Sequence, residues 1–170
     1  MNFIDSSALE MRAVRVGQAL LADRLTLVTA ESCTGGWVSQ CLTAIAGSSA
    51  WFERGFVTYS NAAKQEMLGV PESALAAHGA VSQAVAVAMA EGALRHSRAD
   101  RALAITGIAG PDGGSTEKPV GTVCLAWAGR DVTTTTEIRH FTGDRQAIRA
   151  QSVARALDGL LEQLAYPRFC

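Results

Sequence analysis

Two loops rich in glycine and hydroxyl side chains each follow a short apolar run, and they hold most of the residues able to do chemistry. The first is Thr29-Ala30-Glu31-Ser32-Cys33-Thr34-Gly35-Gly36, after Leu25-Thr26-Leu27-Val28. The second is Thr106-Gly107-Ile108-Ala109-Gly110-Pro111-Asp112-Gly113-Gly114-Ser115-Thr116, after Ala102-Leu103-Ala104-Ile105. A strand ending in glycines and hydroxyls presents backbone N–H groups and side-chain oxygens to an anion. In an open α/β sheet such loops lie at the carboxyl ends of strands, where ligands bind. Two of them imply a polar small-molecule pocket. Neither matches the Gly-Lys-Ser/Thr ending of a Walker A loop or the dinucleotide GxGxxG pattern.

Glu31, Ser32, Cys33 and Thr34 crowd a carboxylate, two hydroxyls and a thiol into one strand-to-helix turn. An ordinary turn explains the hydroxyls as helix caps and the glycines as turn formers. It leaves the charge of Glu31 near a buried strand end without a partner. Cys33 is open to two readings, a low-pKa thiolate at a helix N-terminus or a small packed side chain. Ser48 and Ser49 begin a new turn after Ile45-Ala46-Gly47, either as caps or as an alcohol nucleophile. An alcohol needs a base, and no histidine is near. Lys64, one of only two lysines, follows Tyr59-Ser60-Asn61 at a helix start. Burial that kept its amine neutral would make it that base; a lysine on an exposed helix face is the plainer alternative.

The elements that must position these groups are readable from periodicity. Ser7-Ala8-Leu9-Glu10 has the form of a capping box, and Leu9, Ala13, Val16 and Leu20 recur at helical spacing, giving a helix that ends near Asp23. Residues 25–30 read as a buried strand. A second helix runs from about Gly35 through Val38, Leu42 and Ile45 to Gly47, and 48–53 form a single turn. Gly55-Phe56-Val57-Thr58-Tyr59 alternates like a strand, with Ser60 capping the helix that carries Lys64. Pro71 suits the first turn of a short helix. Ser82 caps a longer one with Val85, Ala88, Met89 and Gly92 on one face. Strands follow at 101–106, 120–128 and 132–141, the last two forming an antiparallel hairpin around Gly129-Arg130-Asp131. A final helix carries Ala150, Val153, Ala154, Leu157, Leu160, Leu161 and Leu164 on one stripe. The pattern predicts a single α/β domain over 1–170, a three-layer α/β/α sandwich with a mixed, mostly parallel sheet of about five strands.

Composition narrows the partners. A chain of 170 residues, 48% hydrophobic and 18% charged, can bury roughly 70% of its unfolded surface in one domain. The net charge is −1 and no Lys/Arg cluster occurs, which argues against nucleic acid as the main partner. Charged residues and glycines break every apolar stretch short of a membrane span. Met1-Asn2-Phe3-Ile4-Asp5 lacks the basic-then-apolar layout of a signal peptide, so a cytoplasmic location is expected. Cys33, Cys41, Cys124 and Cys170 are scattered, and His78, His96 and His140 are isolated. Reduced thiols, and neither a metal site nor a cofactor, are the expectation.

Taken in order, several motifs resemble one family. They are Ala30 to Gly36, the run IAGSSAWFERGFVTYSNAAK from Ile45 to Lys64, and His78-Gly79-Ala80-Val81-Ser82. Ile105 to Gly114 and Lys118-Pro119-Val120-Gly121-Thr122-Val123 complete the set. Together they are similar to the CinA C-terminal domain, or PncC, family of nicotinamide-nucleotide amidases, over all but the first and last twenty or so residues. The resemblance implies hydrolysis of the carboxamide of nicotinamide mononucleotide to nicotinate mononucleotide and ammonia, in pyridine-nucleotide salvage. It implies a mixed-sheet sandwich, no metal, and a homo-oligomer. On that chemistry Ser48 is the expected nucleophile, Lys64 the base and Tyr59 a hydroxyl relay, with Cys33 the alternative nucleophile. The amides of 48–49 or of Gly107 are the expected oxyanion donors. Thr106 would orient the carboxamide; Ser32, Thr34, Gly35 and Gly36 would hold the ribose phosphate, with Glu31 facing the pyridinium or ribose. Ser49, Gly107 and Gly110 complete the expected substrate contacts. A non-catalytic nucleotide-binding or regulatory module, related to competence or DNA-damage proteins, is the alternative function.

Overall fold

Alternation along the strands decides the layers, because successive side chains of a strand point to opposite faces. The computed structural model of the chain describes residues 5–165; Cys170 and the first four residues, read above for thiol chemistry and targeting, lie outside them. The elements are α1 (Ser6–Ala22), β1 (Leu27–Glu31), α2 (Trp37–Thr43), a 3₁₀ turn (Ser48–Ala50), β2 (Phe52–Val57), α3 (Asn61–Leu68) and α4 (Glu72–His78). Then come α5 (Gln83–Arg95), β3 (Arg101–Gly107), β4 (Thr122–Gly129), β5 (Val132–His140) and α6 (Arg145–Ala165).

The strands form one sheet in the order β2-β1-β3-β4-β5. β1 pairs in parallel with β2 and β3, while β4 runs antiparallel to both β3 and β5. Four strands therefore point one way and β4 alone opposes them, as the sequence predicts. Leu27, Leu103, Ile105, Val123, Leu125 and Trp127 face α1, α2 and α6. Val28, Ala30, Ala102, Ala104, Cys124 and Ala126 face α5 and the helices beside it. The second face is alanine-rich, so helices approach it closely. Gly92 of α5 is pressed on Leu68 of α3, where an added Cβ would lie 2.2 Å from the Leu68 carbonyl oxygen. That contact fixes α3 against α5, and α3 carries Lys64.

Three expectations shift at element ends. The N-cap of α1 is Asp5, so Ser7 and Glu10 form no capping box; Ser7 Oγ donates to the Asp5 carboxylate instead. β2 starts at Phe52, opposite Leu27, directly after the 3₁₀ turn, which leaves Thr58 and Tyr59 beyond its carboxyl end. β4 begins at Thr122 and not at 120.

Candidate active site

Ser60 Oγ accepts from the Ala63 amide at 3.0 Å and starts α3. The fourth helical residue then faces inward, and Lys64 is 1% exposed. Its Nζ donates to the Thr58 carbonyl at 2.8 Å and lies 3.0 Å from Ser32 Oγ. It forms no ion pair among the described residues. Burial lowers its pKa from the usual lysine value, opposed by the nearby Cys33. A buried amine of lowered pKa against an alcohol is the arrangement a Ser-Lys nucleophile needs.

Ser32 reaches that amine by strand parity. Val28, Ala30 and Ser32 share one face, and the Ser32 amide extends the β1–β3 ladder by donating to Ile105 O at 3.0 Å. Glu31 faces the other way. Its carboxylate is wholly buried and accepts from the amides of Gly36, Val38 and Ser39 at 3.1, 3.1 and 2.9 Å, and from Ser39 Oγ at 2.8 Å. It caps α2 and is not a substrate contact, which corrects the expectation for Glu31. Gly36 is also committed to this cap: with φ of 96° it supplies a left-handed turn that a side chain would strain.

The rest of the loop is held from the far face. Arg149 of α6 donates to the carbonyls of Cys33 at 3.1 Å and Thr34 at 2.8 Å, and stacks over Trp37 at 5.2 Å. In a trans peptide the N–H opposes the C=O, so pulling the Cys33 carbonyl toward α6 turns the Thr34 amide toward the Lys64 side. The amides of Cys33 and Thr34 donate to no group among the described residues. Thr34 Oγ1 is buried without a partner, as is Thr58 Oγ1. The Cys33 thiol is buried, and that burial pushes its pKa up to about 12, with the Glu31 charge acting in the same direction. It is a packed side chain rather than a thiolate.

The second loop closes the other side. Thr106 Oγ1 donates to Ala80 O at 2.8 Å, leaving its lone pairs for a ligand N–H. Gly107 and Gly110 are each pressed against a neighbouring side chain. A Cβ on Gly107 would meet Val123 at 2.7 Å, and one on Gly110 would meet Val120 at 2.5 Å. Arg145, at the start of α6, bridges the mouth. It donates to Gly110 O at 2.8 Å and to Tyr59 OH at 3.2 Å. Tyr59, 64% exposed, therefore stands at the rim with Arg145 and makes no hydrogen bond to Lys64 or to either serine. The relay role expected of it has no geometric support. Gly35 is exposed at the same edge.

Ser48 and Ser49 lie elsewhere. Trp51 O accepts from the Leu27 amide at 2.8 Å, so the 3₁₀ turn sits at the amino end of β1, whereas Ser32 follows its carboxyl end. Five strand residues separate those ends by about 16 Å. Neither serine touches Lys64, and the amides of 48–49, at the amino end of β1, are no longer candidates for an oxyanion near it. Arg145 and Arg149 were not singled out in the sequence, where they look like ordinary helix-surface arginines. Ser32 did leave a signal: it shares parity with Val28 and Ala30, the face on which Lys64 lands.

Comparison with known proteins places this geometry among relatives. The family model of the CinA C-terminal domain matches residues 9–164. Nicotinamide-nucleotide amidohydrolase PncC of Escherichia coli (strain K12) is 58% identical over 159 residues, covering 94% of this chain and 96% of that protein. The protein of the same name from Pseudomonas putida is 54% identical over 150 residues, covering 88% and 93%. The crystal structure of competence/damage inducible protein CihA from Agrobacterium tumefaciens superposes with a TM-score of 0.90 at 46% identity, covering 98% of this chain and 99% of that one.

Proposed function

The chain belongs to the CinA C-terminal domain family, and from that premise we propose that it is a nicotinamide-nucleotide amidase with Ser32 as nucleophile and Lys64 as base. One observation carries the assignment: the buried Lys64 amine lies 3.0 Å from Ser32 Oγ. The names of relatives more than 50% identical supply the substrate. Ser32 replaces Ser48 in the role because it is the alcohol within reach of the base.

The reaction follows from the geometry. Neutral Lys64 takes the Ser32 proton as Oγ attacks the carboxamide carbon of nicotinamide mononucleotide. The oxyanion that forms accepts from the unpaired amides of Cys33 and Thr34, the second lying in the peptide plane that Arg149 holds through Cys33 O. The Lys64 ammonium returns its proton to the departing nitrogen, and ammonia leaves a nicotinoyl ester on Ser32. Water, deprotonated by Lys64, then cleaves that ester to release nicotinate mononucleotide and restore the alcohol. Thr106 accepts from the carboxamide N–H₂ while its own proton is held by Ala80 O. Arg145 and Tyr59 at the rim bind the substrate phosphate, a task suited to a guanidinium whose bonds here go to neutral oxygens.

The test is ammonia release from nicotinamide mononucleotide by the purified chain, followed by mass detection of a nicotinoyl ester on Ser32 in an acid-quenched reaction. Turnover with the adduct on the peptide containing Ser32 is expected. Turnover with the adduct on Ser48 or Cys33 would overturn the dyad, and no turnover would overturn the activity.

A further inference from the structure

Apart from Ala80 O, two motifs take no part in this mechanism, His78-Gly79-Ala80-Val81-Ser82 and Lys118-Pro119-Val120-Gly121-Thr122-Val123, and in the fold they meet. Lys118 Nζ donates to His78 O at 2.7 Å. With the start of α5 and the ends of β4 and β5, the two segments enclose an open cavity of about 360 Å³. That is within the range of small-ligand pockets. It lies over β4 and β5, whereas the dyad lies over β1 and β3.

The lining is rich in unspent donors. Lys118 forms no ion pair among the described residues, and two of its three N–H bonds remain free once His78 O is served. Gln83 and Ala84, the first two residues of the 13-residue α5, line the cavity, and neither of their amides donates to any group among the described residues. That end of the helix also carries partial positive charge. Thr122 Oγ1 donates to Pro119 O at 2.7 Å, so in its 3.2 Å contact with His140 the ring Nδ1–H must be the donor, which leaves Nε2 to accept from a protonated phosphate oxygen or, in the imidazolium, to donate to an unprotonated one. Cys124 lines the cavity at 1% exposure, and its thiol has no hydrogen-bond partner among the described residues. Burial pushes its thiol up to about 11, so it brings an S–H and no negative charge. Glu117 is the one carboxylate in the lining, and it is exposed to solvent.

We propose that this cavity is a second anion site, taking the phosphate end of a small phosphorylated molecule between Lys118, His140 and the first amides of α5. Occupancy is felt at the dyad through one segment. Lys118 holds His78 O, and two residues on Ala80 O holds Thr106 Oγ1. An anion that draws the Lys118 ammonium away from His78 O loosens the backbone that orients Thr106. The site stands on its own lining and does not depend on the amidase reading.

Inorganic phosphate titrated into the ¹⁵N-labelled full chain tests it. Saturable shifts of the Gln83 and Ala84 amides and of the His140 ring are expected, with at least about tenfold weaker binding in Lys118→Gln and retention in Lys118→Arg. Absence of saturable shifts at these groups, or the same affinity in Lys118→Gln, would overturn the proposal. Loss in Lys118→Arg equal to that in Lys118→Gln, with native spectra, would show that the positive charge is not what binds the anion and would overturn the proposal as stated. Nicotinamide mononucleotide titrated into Ser32→Ala then separates the two sources of phosphate. Shifts at Gln83 and at Tyr59 with one dissociation constant would make the cavity part of the substrate site and overturn a second site, whereas shifts confined to the dyad and Tyr59 support a separate anion.

Discussion

Replacing Lys64 by methionine keeps its buried volume and removes its amine. Two contacts disappear, the 2.8 Å bond to Thr58 O and the 3.0 Å contact with Ser32 Oγ. A buried carbonyl left without a donor costs about 1–3 kcal/mol. Relief of the amine's own desolvation returns a similar amount, about 1–3 kcal/mol on mutational scales. The two offset to within about 2 kcal/mol, which for a chain of this size keeps the melting temperature within about 8 °C of the parent. Catalysis has no such offset. Ser32 has no other base within hydrogen-bond distance among the described residues, so kcat/KM for ammonia release should fall at least about 10³-fold, near the upper range for a lost general base. Ser32→Ala should fall as far, and the double variant no further, because members of one catalytic unit are not additive. Ser48→Ala should stay within about threefold, since its site is at the other end of the sheet. The reasoning is refuted if Lys64→Met folds and keeps more than about a tenth of the activity. Losses that multiply in the double variant, or a Ser48→Ala defect equal to that of Ser32→Ala, would refute it equally.

With a lowered Lys64 pKa, kcat/KM should rise with pH through that value and level above it; a flat profile across it would remove the base. In the window between the folded pKa and 10.5, the unfolded chain binds the extra proton. Stability of the parent relative to Lys64→Met should therefore climb with pH there, as denaturant melts at a series of pH values will read. Cys33→Ala should retain activity within about threefold, because a thiol near 12 is ionised in only about one molecule in 10⁵ at neutral pH; complete loss in a folded variant would restore the thiol as nucleophile. Glu31→Ala strips four hydrogen bonds from the start of α2 and should cost about 3 kcal/mol or more in thermal or denaturant melts, with Glu31→Gln milder. Arg145→Ala should raise KM about 10–100-fold with little change in kcat, the value of one or two charged hydrogen bonds to phosphate; an unchanged KM would move the phosphate elsewhere.

Much of this architecture was legible in the chain. Helical spacing from Leu9 to Leu20, the caps Ser60 and Ser82, and the hairpin at Gly129-Arg130-Asp131 all rest on contacts between near neighbours, which local periodicity and turn chemistry encode. The two Gly-rich loops were placed at strand ends for the same reason, and Lys64 was marked as the base by its rarity and its place at a helix start.

What the tertiary structure decided was which groups meet. Ser32 and Ser48 are both hydroxyls in turns beside strands, and the parity of Ser32 with Val28 and Ala30 favours it only once the face that receives Lys64 is known. Register decides between them: β1 pairs with β2 from Leu27 opposite Phe52, which sends Ser48 to the amino edge and brings Ser32 to Lys64. Glu31 found its partners in the amides of α2, five to eight residues on. Arg145 reached Tyr59 across 86 residues of sequence. Sequence alone thus determined the elements, because their causes are local. The site's membership belongs to the assembled sheet, because a one-residue change of parity or a choice of strand end moves a side chain by a whole face or by the length of the strand.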